Sequence, residues 1–330
     1  MPNTGFATRR GALSLLAGAA AATATSSAFA APTSAPAPDR ELMVPVEGGR
    51  IYVRVNGPLD GPRAPVVMAH GGPGGNHAHF LPGLALADER AVVLYDQLDS
   101  GRSDVPNDPG NWRVERFVDE VDAIRRALEM ERLHLLGGSW GGTVAAEYAI
   151  RRPQGLRSVV LESPLISTPV WLADTAGQRA SLPGSVRAEL DRCEGAGVRT
   201  DDKGCAAAVR AFYKSFNSLE LPPAYVRAYE TALPKPFNED LYRYMWGPSE
   251  FASSGTLRTY DAEPRLGRIA APALYLVGEY DTCTPAAARR FARRTPHAEV
   301  RVIANAAHGI PVDQPDAWLG VLRPWLRRFD

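Results

Sequence analysis

Residues 137–142 read Gly137-Gly138-Ser139-Trp140-Gly141-Gly142. Just before them, Leu133-His134-Leu135-Leu136 has the composition of a short buried strand. Just after them, Thr143-Val144-Ala145-Ala146-Glu147-Tyr148-Ala149 reads as a helix. Gly137 to Gly141 fits G-x-S-x-G, the pattern of a nucleophile elbow. The spacing has a steric reason. A sharp strand-to-helix turn forces the serine into a strained backbone conformation. Glycines two positions either side remove the Cβ atoms that would collide where strand and helix cross. The serine hydroxyl then stands clear of the backbone, at the positive end of a helix dipole. The pentapeptide alone is common, so its support must come from the rest of the chain.

Working outward, the elbow sits in a regular alternation. Toward the amino terminus, Glu41 to Val46 and Arg50 to Val55 flank Glu47-Gly48-Gly49, a hairpin signal. Pro65 to Ala69 and Ala91 to Tyr95 are short apolar strands. The first runs into His70-Gly71-Gly72-Pro73-Gly74-Gly75, the second into Asp96-Gln97. Phe117, Val121, Ile124 and Leu128 recur at three- or four-residue intervals, which predicts a helix over Val114 to Met130. Toward the carboxyl terminus, Ser158 to Leu161, Ala273 to Val277 and Val300 to Ile303 are further strands. Pro285 to Arg294 is predicted helical, with Thr284 as N-cap and proline at the first position. Asp316 to Phe329 is an amphipathic terminal helix containing Pro324. Short apolar strands alternating with helices imply an α/β fold: a mainly parallel, doubly wound sheet covered on both faces. Ligands bind such sheets at the carboxyl ends of the strands.

Between Glu162 and Arg268 the alternation lapses. The segment is helical and aromatic, broken by prolines, and has no linker at either end. It therefore reads as a helical cap over 163–268, inserted into a core formed by 41–162 and 269–330, rather than as an independent domain.

The 330 residues carry 37 basic and 37 acidic side chains, with 45% hydrophobic residues. That balance gives no footprint for nucleic-acid or membrane-surface binding. Residues 1–30 differ in character. Arg9-Arg10, a modest apolar run and Ala28-Phe29-Ala30 are the three parts of an export signal, with twin arginines. The run is too short and too rich in alanine and glycine for a membrane anchor. Cleavage after Ala30 leaves 35 basic against 37 acidic residues, a net charge near −2. Residues 31–40 are expected to form a flexible leader. Cys193 and Cys205 lie twelve apart; in an oxidising compartment they form a disulfide, and otherwise they are two unrelated thiols. Cys283 is left over. No C-x-x-C or histidine-rich metal spacing is present, and no cofactor is called for.

A serine hydroxyl needs a base, usually a histidine oriented by a carboxylate. Of six histidines, His134 lies inside a strand, His77 and His79 follow the glycine-rich loop, and His297 precedes the last strand. His308 follows that strand among small residues, where an imidazole reaches inward. Asp281 follows the preceding strand, with Glu279 as its rival. Ser139, Asp281 and His308 stand in the serine, acid, histidine order of an α/β-hydrolase. The oxyanion donors are then the backbone N–H of Trp140 and that of Gly72.

At this level of detail the chain resembles the proline iminopeptidases, with their tricorn-associated aminopeptidase relatives. The matching strings are His70-Gly71-Gly72-Pro73-Gly74, Tyr95-Asp96-Gln97 with Gly101-Arg102-Ser103, and Gly138-Ser139-Trp140-Gly141-Gly142. Trp246-Gly247-Pro248-Ser249-Glu250-Phe251 and Gly278-Glu279-Tyr280-Asp281 with Thr284-Pro285 complete them. They span most of the mature chain, in the family's order. The resemblance implies a serine hydrolase releasing an amino-terminal residue, typically proline, from small peptides or amides. It also implies that Glu250 binds the free amine, the alternative being a structural ion pair. A buried carboxylate under an aromatic lid suits a cationic amine and rejects acylated ends. Trp246 and Phe251 are expected to line the residue pocket.

Two departures stand out. Relatives with a second amine-binding carboxylate place it directly after the catalytic aspartate, where this chain has Thr282. The family tends to glycine before Gly-Arg-Ser, where this chain has Leu98-Asp99-Ser100. Asp99 reads as a solvated turn residue, with a substitute amine ligand as the alternative. The leaving group, peptide or amide, stays open, as does the oligomeric state. An L-amino-acid amidase or esterase is the same-class alternative, and a non-catalytic binding protein the different-class one. A serine elbow disfavours dehalogenases and epoxide hydrolases.

Overall fold

Strand parity explains how the sheet is buried. In β3 (Val66–Ala69), β4 (Val92–Tyr95), β5 (Leu133–Gly138) and β7 (Ala273–Gly278), alternate residues enter two different apolar clusters. Val67, Val93, Leu135 and Tyr275 join one; Val66, Leu94, Leu136 and Leu276 join the other. Successive side chains on a strand point to opposite faces, so the sheet is covered on both. The computed structural model describes residues 34–195 and 202–330. Within them one eight-stranded sheet runs in the order β1-β2-β4-β3-β5-β6-β7-β8. The remaining strands are β1 (Arg40–Val46), β2 (Gly49–Asn56), β6 (Leu156–Glu162) and β8 (Ala298–Ile303). The hairpin β1–β2 and the β2–β4 pair are antiparallel; the other pairs are parallel.

One face is covered by α1 (Val114–Ala127), α2 (Trp140–Ile150) and α8 (Pro285–Ala292). The α1 stripe buries Phe117, Val121 and Ile124, as the spacing requires. Thr284 caps α8 by accepting the Ala287 N–H at 3.1 Å. The other face is covered by the 3-10 segment His77–Asp88, which the sequence pattern did not disclose, and by α10 (Pro315–Arg328). The short α9 (Ile310–Asp313) precedes α10, which continues through Pro324.

Between β6 and β7 lie α3 (Thr168–Ser181), α4 (Gly184–Gly195), α5 (Lys203–Phe216), α6 (Ala224–Thr231) and α7 (Glu239–Met245). They have a small core of their own, with Leu182, Leu190, Ala208 and Phe212. Cys193 on α4 and Cys205 on α5 are disulfide-bonded, and Cys283 is free and buried. All described residues belong to one compact unit.

The expected export signal and the first residues of the leader lie outside the described residues. From Pro36 onward the leader is fixed rather than flexible. Arg54 and Asn56 donate to the carbonyls of Pro36 and Ala37, and the Asp39 N–H donates to Val55. Among the described residues no helix is long and apolar enough to cross a membrane.

The elbow is sterically tight. A Cβ on Gly137 would lie 1.9 Å from the Gly141 carbonyl oxygen, and one on Gly141 would lie 2.0 Å from that of Ala69. Both obstacles are backbone and cannot rotate away. Gly141→Ala is therefore expected to cost roughly 3 kcal/mol or more, or to prevent soluble folding. Thermal unfolding checks this; a melting temperature within a degree of the parent would contradict the crossing described here.

Candidate active site

Ser139 closes β5 and caps α2 with φ 56° and ψ −119°, a conformation uncommon for a residue with a side chain. Neighbouring backbone holds it there. The Ser139 N–H donates to the Glu162 carbonyl at 2.9 Å, and its own carbonyl accepts from Gly142 at 2.9 Å and Leu165 at 3.1 Å. The hydroxyl borders the main cavity and has no hydrogen-bond partner among the described residues. The Trp140 N–H, in the first turn of α2, has no intrahelical acceptor.

His308, in the loop after β8, lines the same cavity. Its Nδ1–H donates to Asp281 Oδ1 at 2.8 Å. Asp281 is 1% exposed and fully served by donors. It also accepts from Ser163 Oγ at 2.5 Å, the Gly278 N–H at 3.1 Å and the Cys283 N–H at 2.9 Å. The rival Glu279 is exposed and accepts the Asn305 N–H instead. Burial opposes charge on His308. The carboxylates of Asp281, Glu250 and Glu162 outweigh it and raise the imidazole above its ordinary value.

The glycine-rich loop is pinned by a buried polar network. His70 Nε2 accepts the Gln97 N–H at 3.0 Å, so its Nδ1 is the protonated nitrogen and donates to the Gly71 carbonyl. Burial lowers the His70 pKa to about 4, which keeps this ring neutral. Gln97 donates back to the His70 carbonyl and accepts from Trp140 Nε1 at 2.8 Å. One glutamine thus ties the loop to the elbow. Asp96 holds the next turn through the His77 N–H, His77 Nδ1 and the Arg102 N–H. Gly71 and Gly72 both border the cavity, and a Cβ on Gly71 would lie 3.1 Å from that of Ser139. Gly72 has φ +121°, which suits glycine.

Asp99 differs from both sequence readings. It is fully buried, with φ 67°, and accepts from the Asn107 N–H at 2.6 Å and Trp112 Nε1 at 2.8 Å. It is neither solvated nor part of the cavity lining.

The cavity holds about 590 Å³, within the range of small-molecule sites. Glu250 lines it from the cap. Its Oε1 accepts from the Tyr242 hydroxyl at 3.0 Å, and its backbone carbonyl accepts from Trp171 Nε1 at 2.9 Å. No cationic side chain lies within ion-pairing distance of it among the described residues, so the structural ion pair is absent. Burial raises its pKa, partly offset by His308 and the Tyr242 bond. Trp246 and Phe251, expected to line the pocket, do not. Trp246 is buried against Trp171 and donates to the Ser249 carbonyl; Phe251 packs on Phe212. The walls are instead Tyr213, Tyr242, Phe237 and Pro248. Thr282 is buried beside the histidine, its Oγ1 2.9 Å from His308 Nδ1. His134 is structural, bonded to Ser158.

The sequence reading also passed over Ser163 and Glu162. Their signal was available: Val159-Val160-Leu161 is an apolar strand that ends abruptly in Glu-Ser-Pro at the functional rim.

Residues 64–315 match the α/β-hydrolase fold family model. The proline iminopeptidase of Heyndrickxia coagulans is 38% identical over 287 residues, covering 87% of this chain and 98% of that protein. That of Levilactobacillus brevis is 33% identical, covering 88% and 97%. The chain belongs to the proline iminopeptidase family of α/β-hydrolases. Solved structures agree. The proline iminopeptidase of Mycobacterium smegmatis superposes with a TM-score of 0.81 at 32% identity, covering 88% and 98%. VinJ superposes with 0.82 at 33%, covering 89% and 100%. Glu250 and His308 line one cavity in this member of the family, which gives the pH dependence of activity a definite sign. A base must be neutral to accept a proton. A raised His308 stays protonated to higher pH, so kcat/KM is expected to fall away as pH drops through a value above about 6.5. Glu250→Gln removes one of the responsible charges and should move that acidic limb to lower pH. A limb at or below the ordinary imidazole value, or one that does not move, contradicts this.

Proposed function

We propose that the chain is a serine aminopeptidase that releases an amino-terminal residue, preferably proline, from small peptides or amides. The observation that carries this reading is Glu250, a carboxylate without a cation partner in the cavity that exposes Ser139. A part-buried carboxylate of this kind favours a cationic amine and penalises an acylated amino end.

The steps follow from the geometry. Ser139 Oγ attacks the carbonyl carbon of the first residue and passes its proton to His308 Nε2. Asp281 holds the Nδ1–H and stabilises the imidazolium. The oxyanion is taken by the N–H groups of Trp140 and Gly72. His308 then protonates the leaving nitrogen, the C–N bond breaks, and an ester remains on Ser139. Water, deprotonated by His308, cleaves that ester and frees the amino acid. Glu250 holds the amine throughout, with Tyr242 orienting its carboxylate. Export by the signal at residues 1–30 is part of the same proposal. The Cys193–Cys205 disulfide supports it, since disulfides persist in oxidising compartments.

Hydrolysis of prolyl arylamide, compared with its N-acetyl form, tests the reading. Wild type should cleave the free amine and leave the acetylated substrate essentially untouched. Ser139→Ala should lose about 10⁴-fold or more in kcat. Glu250→Gln should lose on the order of 100-fold in kcat/KM for the free amine. Full turnover by Ser139→Ala, or equal cleavage of both substrates, would refute it.

A further inference from the structure

Glu162 is the last residue of β6. By strand parity its side chain follows Val160, whose cluster contains Phe80 and Trp318. Its Oε2 accepts from Trp318 Nε1 at 2.5 Å. Its Oε1 has only His79 nearby, with Nε2 at 3.8 Å, beyond hydrogen-bond reach. The residue is 1% exposed, yet it borders the cavity. One oxygen of a buried carboxylate is therefore turned to the cavity without a donor. That oxygen borders the cavity rather than being sealed from solvent, so it is accessible to a cationic ligand.

Glu250 lines the same cavity from the segment between β6 and β7. Its neighbours Trp171 and Tyr242 pack with the cluster on the opposite face of the sheet. On the proposed function, that side holds the amine and the first residue. The Glu162 side then receives what lies beyond the scissile bond. It carries a second acid: Glu230 on α6 also lines the cavity, accepts from Asn76 Nδ2 at 3.1 Å, and has no cationic partner among the described residues. His79, with a side chain 36% exposed, stands over Glu162 on the way out to solvent. The surroundings of Glu162 are thus acidic and open to the cavity, with His79 as the one basic side chain within ion-pairing distance of its Oε1 among the described residues.

We propose that Glu162 is a specificity residue for the leaving group: its Oε1 takes the cationic side chain of a lysine or arginine in the second position of the substrate. The inference rests on the reading of Glu250 as the amine site. It concerns the departing part of the substrate; Thr282, buried against Asp281 and His308, does not line the cavity.

The test uses matched substrates, prolyl-lysine amide and prolyl-norleucine amide, which differ in charge but hardly in length. Wild type should prefer lysine by about tenfold or more in kcat/KM, the scale of a charge-assisted hydrogen bond. Glu162→Gln keeps an acceptor for Trp318 and should bring the ratio close to one, with the thermal unfolding transition preserved. A variant-free measurement backs this up: Nε-acetylation of the lysine should abolish the preference in wild type. A wild-type ratio near one, a preference kept in Glu162→Gln, or a preference that survives acetylation overturns the proposal. Prolyl arylamide is run alongside. If wild type fails to cleave it, the function itself is wrong and this proposal falls with it. If wild type cleaves it without favouring lysine, only the role of Glu162 is wrong.

Discussion

The contact on which the rest depends is the crossing of β5 and α2 at Ser139. The Gly137 and Gly141 α-carbons lie so close to the carbonyls of Gly141 and Ala69 that no side chain fits. That closeness sets the turn, and the turn forces Ser139 to a positive φ. Strain of this kind persists only where the surroundings over-determine it. Here the Ser139 backbone is held by Glu162 on β6 and by Leu165 at the entrance to the cap. The result is a hydroxyl that cannot satisfy itself locally, beside a helix N–H that has no acceptor. The hydroxyl borders the cavity, and the N–H belongs to the very next residue, the pairing that nucleophilic attack on a carbonyl requires.

The cap does more than roof this site. The loop carrying His308 donates its His308 and Gly309 N–H groups to Phe216 and Asn217, at the end of α5. The loop carrying Asp281 is gripped by α3: Gln178 donates to the Asp281 carbonyl, and Asp174 accepts from Thr284 at 2.7 Å. Trp171 of α3 meets the His308 ring edge-on at 5.5 Å. Acid and base are therefore positioned partly by the inserted segment. This explains why the inserted segment and the core form a single unit, and why Glu250, carried by that segment, lies within the field of His308. The Cys193–Cys205 disulfide joins α4 to α5, the helix that carries the His308 clamp.

Much of this was legible in the chain. Strand positions, the helix stripe at Phe117 to Leu128, the elbow and the carboxyl-end loops follow from periodicity and from steric rules local to a few residues. That Ser139, Asp281 and His308 lie at one rim was legible because topology sends the parallel strand ends there. The pocket walls were not. Trp246 and Phe251 stand within four residues of Glu250 in sequence, but Trp246 is buried with Trp171 in the main apolar cluster and Phe251 packs on Phe212 in the small helical core, while Tyr213 and Tyr242 arrive from α5 and α7. Asp99 looked solvated because its donors, Asn107 and Trp112, lie eight and thirteen residues on. Residues that act through a neighbour's side chain leave no periodic trace. Gln97, which ties the glycine loop to Trp140, shows its purpose only when three loops are seen together.

The electrostatics of the cavity carry a further consequence. Glu250 and Glu162 suit the site to cations, yet the same charges raise His308 and hold more of the base protonated. The two effects conflict only while the carboxylates are uncompensated. On the proposed reading, a substrate that brings a cationic amine to Glu250 cancels part of that field as it binds. The imidazole then returns toward its ordinary value at the moment it must accept the serine proton. An acylated substrate brings no such charge. It leaves Glu250 desolvated and unpaired, and it leaves the base less able to act. On that reading, selectivity for a free amino end arises twice, once in binding and once in the readiness of His308, from a single part-buried carboxylate placed within the field of the base.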